Sequence, residues 1–99
     1  MFRIIFDEHS STVTIRIAGR FVSHYAQETR ELVALSKLPK EFVVDLSDVI
    51  FADSFGESVL RWLKEIGAKF VADSSYSLHL CERLDLPLSE PQLSPMRAT

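Results

Sequence analysis

One cysteine, three glycines and no basic excess are what this chain of 99 residues has to work with, and each scarcity excludes something. Cys81 has no second cysteine to pair with, so an internal disulfide framework is ruled out. Gly19, Gly56 and Gly67 stand far apart, and no Gly-rich loop able to cradle a phosphate is present. Lys and Arg total 11 against 14 Asp and Glu, giving a net charge of −3 and no basic stripe to neutralise a phosphate backbone. Nucleic acid is therefore not an expected partner. Neither a charged-then-apolar leader nor a bilayer-length apolar run is visible, which predicts a cytoplasmic protein without direct membrane insertion. The three histidines, His9, His24 and His79, show no spacing that suggests a triad or a metal pair. No catalytic residue, metal site or cofactor is expected.

What is present suffices for one folded domain: hydrophobic residues make up 46% and charged residues 25%. Phe2–Phe6 and the strictly alternating Thr12–Ile17 read as two antiparallel strands around a turn at Asp7–Ser11, with Gly19 ending the second. From Ser23 to about Ser36 the pattern is helical, with Tyr25, Leu32 and Val33 on the apolar face. Phe42–Leu46 is a near-continuous apolar run, as in a central strand covered on both faces. A second helix from about Phe55 aligns Phe55, Val59, Trp62, Leu63 and Ile66 and stops at Gly67. Lys69–Ala72 reads as a last short strand, and Ser75–Leu84 as a third helix packing Leu78, Cys81 and Leu84. The order predicts an α/β domain over residues 1–86: a mixed four-stranded sheet, mainly parallel with an N-terminal antiparallel strand, packed against three helices. Residues 87–99 hold three prolines within nine positions and read as a flexible tail, leaving the edge beside Lys69–Ala72 open to a partner or a second copy of the chain.

The stretch "VVDLSDVIFADSFGESVL" places Asp45, Asp48, Asp53 and Ser54 in the connection after the central strand, where α/β sheets carry function. Loop acids of this kind are commonly turn formers, and the chain is short, without a convincing lysine partner, for a cation-holding phosphate acceptor. Ser54-Phe55-Gly56-Glu57 fits a capping box, the Ser54 hydroxyl bonding the Glu57 amide and the Glu57 carboxylate reaching back. Trp62 and Phe55 read as core and Cys81 as a small buried hydrophobe.

The segment "VVDLSDVIFADSFGESVLRWLKEIGAKF" resembles the core signature of STAS domains: a strand ending in Asp-Leu-Ser, an Asp-Ser-x-Gly turn, an apolar helix and a Gly-terminated loop. "IAGRFVSHYAQETREL" resembles the family's earlier strand-Gly-turn-helix segment, so the likeness spans about residues 12–86. The resemblance to the bacterial anti-sigma factor antagonist branch implies a non-enzymatic module of transcription regulation. Its partner would be an anti-sigma factor with serine kinase activity or another regulatory protein. Ser54 occupies the position of the phosphorylated residue, with Asp53 supporting the turn. Asp53, Ser54, Phe55, Gly56, Glu57, Ser58 and Arg61 are the implied partner-binding residues. Glu57 and Ser58 depart from the small or apolar residues usual after this turn, and the proline-rich tail replaces a further strand or helix. STAS domains also act constitutively, in stressosome-like scaffolds or as accessory subunits of lipid transporters. In that alternative Ser54 is only a helix cap.

Overall fold

The computed structural model describes residues 2–9 and 12–89. β1 (Phe2–His9) and β2 (Thr12–Phe21) form an antiparallel hairpin in which Ile4 faces Ile17 and Phe6 faces Ile15. β1 extends to His9, past the expected turn start at Asp7; Ser10 and Ser11 lie outside the described residues. α1 (Ser23–Leu35) leads to β3 (Phe42–Ala52), parallel to β2, and α2 (Ser54–Glu65) leads to β4 (Ala68–Val71), parallel to β3. α3 (Ser75–Leu84) follows, and the strand order is β1-β2-β3-β4. This is the mixed sheet with three helices that the pattern predicts.

β3 is the element that departs most from its expected bounds. The register runs Arg16↔Asp45, Ala18↔Asp48, Gly19↔Val49 and Arg20↔Phe51, so β3 contributes one residue more than β2 at two places. Such bulges advance the inward phase from two residues to three. The buried positions accordingly run Phe42, Val44, Leu46, then Val49, then Ala52. The alternation that identifies a strand fails after Leu46 although the strand continues, and the expected Asp45–Ser54 loop is sheet as far as Ala52. Gly19, opposite this region with φ of 95°, does not end β2 either. It adopts a left-handed backbone that side-chain-bearing residues resist, which lets the strand bend and run on to Phe21.

The helices bury different stripes from those expected. α1 buries Ala26, Thr29 and Val33 and leaves Leu32 exposed. α3 buries Ser77, Leu80, Cys81 and Leu84 and leaves Leu78 exposed. α2 buries Gly56, Val59, Leu60 and Leu63, a regular i, i+3, i+4, i+7 stripe. Phe55 and Ile66 fall on its exposed rim, and Trp62 packs half-buried beneath the Arg30 guanidinium, 4.9 Å from the ring centre. Gly67, with φ of 115°, ends α2 as expected.

The outer edge of β4 is not open. The Phe70 amide donates to the Pro87 carbonyl at 2.8 Å and the Ser89 amide to the Phe70 carbonyl at 2.7 Å, pairing Leu88 parallel to Phe70. The remainder of the proline-rich tail, residues 90–99, lies outside the described residues.

Candidate functional site

The site is assembled where the bulged end of β3 enters α2. Ala52 is held there by its amide, which donates to the Tyr76 hydroxyl of α3 at 2.9 Å. Asp53 follows in extended conformation, φ −84° and ψ −177°, and is the N-cap of α2: its Oδ1 accepts from the Gly56 amide at 2.8 Å. Ser54 is therefore the first residue of the helix and not its cap, and no Ser54/Glu57 capping box forms. Asp and Ser are equally good caps, and the decision rests on where the strand ends. Because β3 runs to Ala52, Asp53 is the residue left at the strand-to-helix corner. The capping box of this fold lies instead at α3, between Ser74 and Ser77.

The second oxygen of Asp53 reaches another helix. Oδ2 accepts from the Ser23 amide at 3.1 Å and from the Ser23 hydroxyl at 3.2 Å. α1 has Val22 at its N-cap position and no side-chain cap of its own, and Ser23, with φ of 41°, sits in a strained backbone. One carboxylate thus satisfies amides at the starts of both α1 and α2, where the helix dipoles favour negative charge. The Gly56 amide above all, then the Ser23 amide and hydroxyl, hold the Asp53 carboxyl below the usual carboxylate range against the opposing effect of burial.

Gly56 fixes how closely these parts approach. A Cβ there would lie 2.1 Å from the Phe21 carbonyl oxygen, so the first turn of α2 rests directly on the end of β2. Glu57 turns away from Ser54 and accepts both terminal nitrogens of Arg83, at 3.2 and 2.5 Å. The Arg83 hydrogen bond lowers the Glu57 pKa, reinforced by the charges of Arg83 and Arg61 against burial and Asp53. The last turn of α3 is thereby bound to the first turn of α2.

These contacts divide the expected partner-binding residues into two groups. Asp53, Gly56 and Glu57 are half-buried or buried and hold the corner together, whereas Ser54, Phe55, Ser58 and Arg61 are exposed. The Ser58 hydroxyl donates to the Phe55 carbonyl at 2.7 Å. Beside them Ile50 and Phe51 are also exposed, Phe51 lying under the Arg20 guanidinium at 5.1 Å. Their exposure follows from the β3 bulges, which turn two consecutive residues away from the core. Asp45 accepts locally from the Ser47 amide, and among the described residues no three His, Cys, Asp or Glu side chains gather as a metal set.

Solved structures share this fold. The anti-sigma factor antagonist SpoIIAA in its unphosphorylated form superposes with a TM-score of 0.65 at 13% identity, over 97% of this chain and 94% of that one. An anti-sigma factor antagonist from Mycobacterium paratuberculosis gives 0.74 at 21% identity, over 94% and 88%. The chain has the SpoIIAA-like, or STAS, fold. An uncharacterised Shewanella loihica protein with a SpoIIAA-like fold is similar over 97% of this chain and 88% of its own, with a TM-score of 0.59 at 8% identity. No family model and no curated protein sequence matches the chain.

Ser23, Arg83, Phe21 and Tyr76 complete this corner without having been singled out in the sequence. Ser23 and Arg83 lie 30 and 26 positions from the residues they hold, and no local spacing signals such pairs. Within the described residues no helix is long and apolar enough to cross a membrane.

Proposed function

We propose that this STAS domain is a non-enzymatic, anti-sigma factor antagonist-like interaction module of bacterial transcription regulation, acting in the cytoplasm. It binds an anti-sigma factor with serine kinase activity through the exposed start of α2, and phosphorylation of Ser54 releases that partner. The observation carrying this reading is the position of Ser54: exposed, first in the helix, and relieved of capping by Asp53. A hydroxyl free of a structural task is open to modification without loss of the fold. A phosphate there adds close to two negative charges beside the Asp53 carboxylate and at the rim formed by Phe55, Ser58 and Arg61. The α2 N-terminus stabilises it within the domain, while a partner presenting acidic groups is repelled.

The test uses the partner obtained by co-purification from the native cell and identified by mass spectrometry. Ser54→Ala is expected to stay within about 0.5 kcal/mol of the parent in stability, as for an exposed position without a cap, and to bind as the parent does. Ser54→Asp is expected to fold equally well and to bind at least about tenfold more weakly, a difference of about 1.4 kcal/mol by titration calorimetry. Equal binding by parent and both variants would instead assign a constitutive STAS scaffold or accessory subunit.

A further inference from the structure

Closure of the β4 edge by Pro87–Ser89 leaves the outer side of β1 as the edge of the sheet that no strand covers among the described residues. It is long, eight residues, without proline, lysine or bulge, and its charged side chains, Arg3, Asp7 and Glu8, are of both signs, so that they can pair as well as repel. Its side chains divide by face. Ile4 and Phe6 face Ile17 and Ile15 on the helix-covered side, whereas Arg3, Ile5 and Asp7 face Ala18, Arg16 and Thr14 on the other. Ile5 and Phe6 remain exposed at 43% and 40%, in the middle of the edge.

We infer that β1 is a self-association edge on which a second copy of this chain pairs antiparallel, with Ile5 opposite its own copy. A two-fold axis normal to the sheet requires some residue to face itself and keeps the helices of both copies on one side. Three centres lie mid-strand, and charge chooses among them. Centring on Ile4 sets Arg3 against Ile5, and centring on Phe6 sets Asp7 against Ile5 and Glu8 against Ile4; neither sets an acidic side chain opposite Arg3. Centring on Ile5 sets Arg3 opposite Asp7 twice, by symmetry, and Ile4 opposite Phe6 twice, and leaves Glu8 against Phe2 only at the two ends of the ladder. Opposite charges and apolar pairs directly across an antiparallel ladder are both stabilising. Asp7 is already within 3.8 Å of Arg16 on the same face, so an incoming Arg3 completes a three-charge cluster astride the exposed Ile5 pair. The two sheets join into one of eight strands.

The register dictates the experiment, sedimentation of the full chain over a concentration series. The parent is expected to show a reversible dimer. Arg3→Glu alone, and Asp7→Arg alone, each set like charges opposite one another at both ends of the pairing and are expected to weaken dimerisation about tenfold or more. Mixing the two variants restores an opposite-charge pair at each end, so a one-to-one heterodimer is expected at parental strength. The double variant R3E/D7R is expected to dimerise with itself, and circular dichroism confirms that each form is folded. A parent that stays monomeric overturns the inference. So do single variants that dimerise as the parent does, or folded single variants whose mixture does not associate. Should either single variant fail to fold, self-association of the double variant at parental strength supports the register and a monomeric double variant overturns it.

Discussion

Asp53 binds the starts of two helices with one carboxylate, so its removal loosens more than a single cap. Asp53→Ala is expected to cost toward the upper end of the usual capping range, about 2 kcal/mol, measured by urea denaturation. Asp53→Asn keeps the shape but turns an amide NH2 toward one of the donors it must accept from, and is expected to be nearly as damaging. The same geometry sets a pH dependence. The folded-state pKa of Asp53 lies below its ordinary value of 3.8, through the Gly56 amide first and Ser23 next. Its contribution is therefore complete above that ordinary value and is lost as pH falls through the lower folded-state pKa. Glu57, held down by Arg83, acts in the same direction. Acid titration of the parent is expected to show stability declining below about pH 4, with a shallower decline in Asp53→Asn. Equal slopes for the two would remove Asp53 from that account. At this scale the sequence was partly legible. Asp53-Ser54 stands out before an apolar helical run, but the division of labour between acid and hydroxyl depends on Ser23, reached only through the fold.

Among the elements, α1 and α3 could be located from helical periodicity and β2 from strict alternation, while β1 and the first half of β3 were legible as short β-rich or near-continuous apolar runs. The second half of β3 was not, since two bulges change its step from two to three at Leu46–Val49 and again at Val49–Ala52. In α2 the period is intact but the phase is not the one suggested by its largest apolar residues. Gly56 decides it: the close contact with the Phe21 carbonyl turns Gly56, Val59, Leu60 and Leu63 inward and moves Phe55, Trp62 and Ile66 to the rim. Gly56→Ala would ordinarily favour a helix by up to about 1 kcal/mol. Here the added methyl meets backbone, and a net loss of about 1 to 3 kcal/mol is expected instead. Leu63→Ala, at a fully buried position, is expected to cost about 2 to 5 kcal/mol, whereas Ile66→Ala on the exposed rim is expected to cost under about 1. Similar denaturation midpoints for Leu63→Ala and Ile66→Ala would contradict this phase. Trp62 gives an independent reading, with emission between buried and water-exposed values and a shift when Arg30→Ala uncovers its ring.

Over the whole molecule, the treatment of the two sheet edges separates what composition reveals from what it conceals. Three prolines within nine residues argue against regular structure after Leu86, yet Pro87 needs no amide to take part in the sheet: its carbonyl accepts from Phe70, and Ser89 supplies the returning donor. Proline at an edge is compatible with pairing through its carbonyl alone, and composition does not report which group is used. Two chains test the consequence, one ending at Ser89 and one ending at Leu86. Both retain every helix and all four strands, and they differ only by the residues that cover β4. The shorter is expected to lose two backbone hydrogen bonds at about 0.5 to 1.5 kcal/mol each, so its urea midpoint should fall by the equivalent of about 1 to 3 kcal/mol relative to the longer. It should also expose a second pairing edge, at Ala68–Val71, and associate beyond dimers as concentration rises. Hydrogen exchange locates the effect, because the Phe70 amide should be protected in the longer chain and exchange rapidly in the shorter. Equal midpoints together with equal Phe70 protection would mean that residues 87–89 do not close the sheet, and that β4 is sheltered by its flanking helices alone.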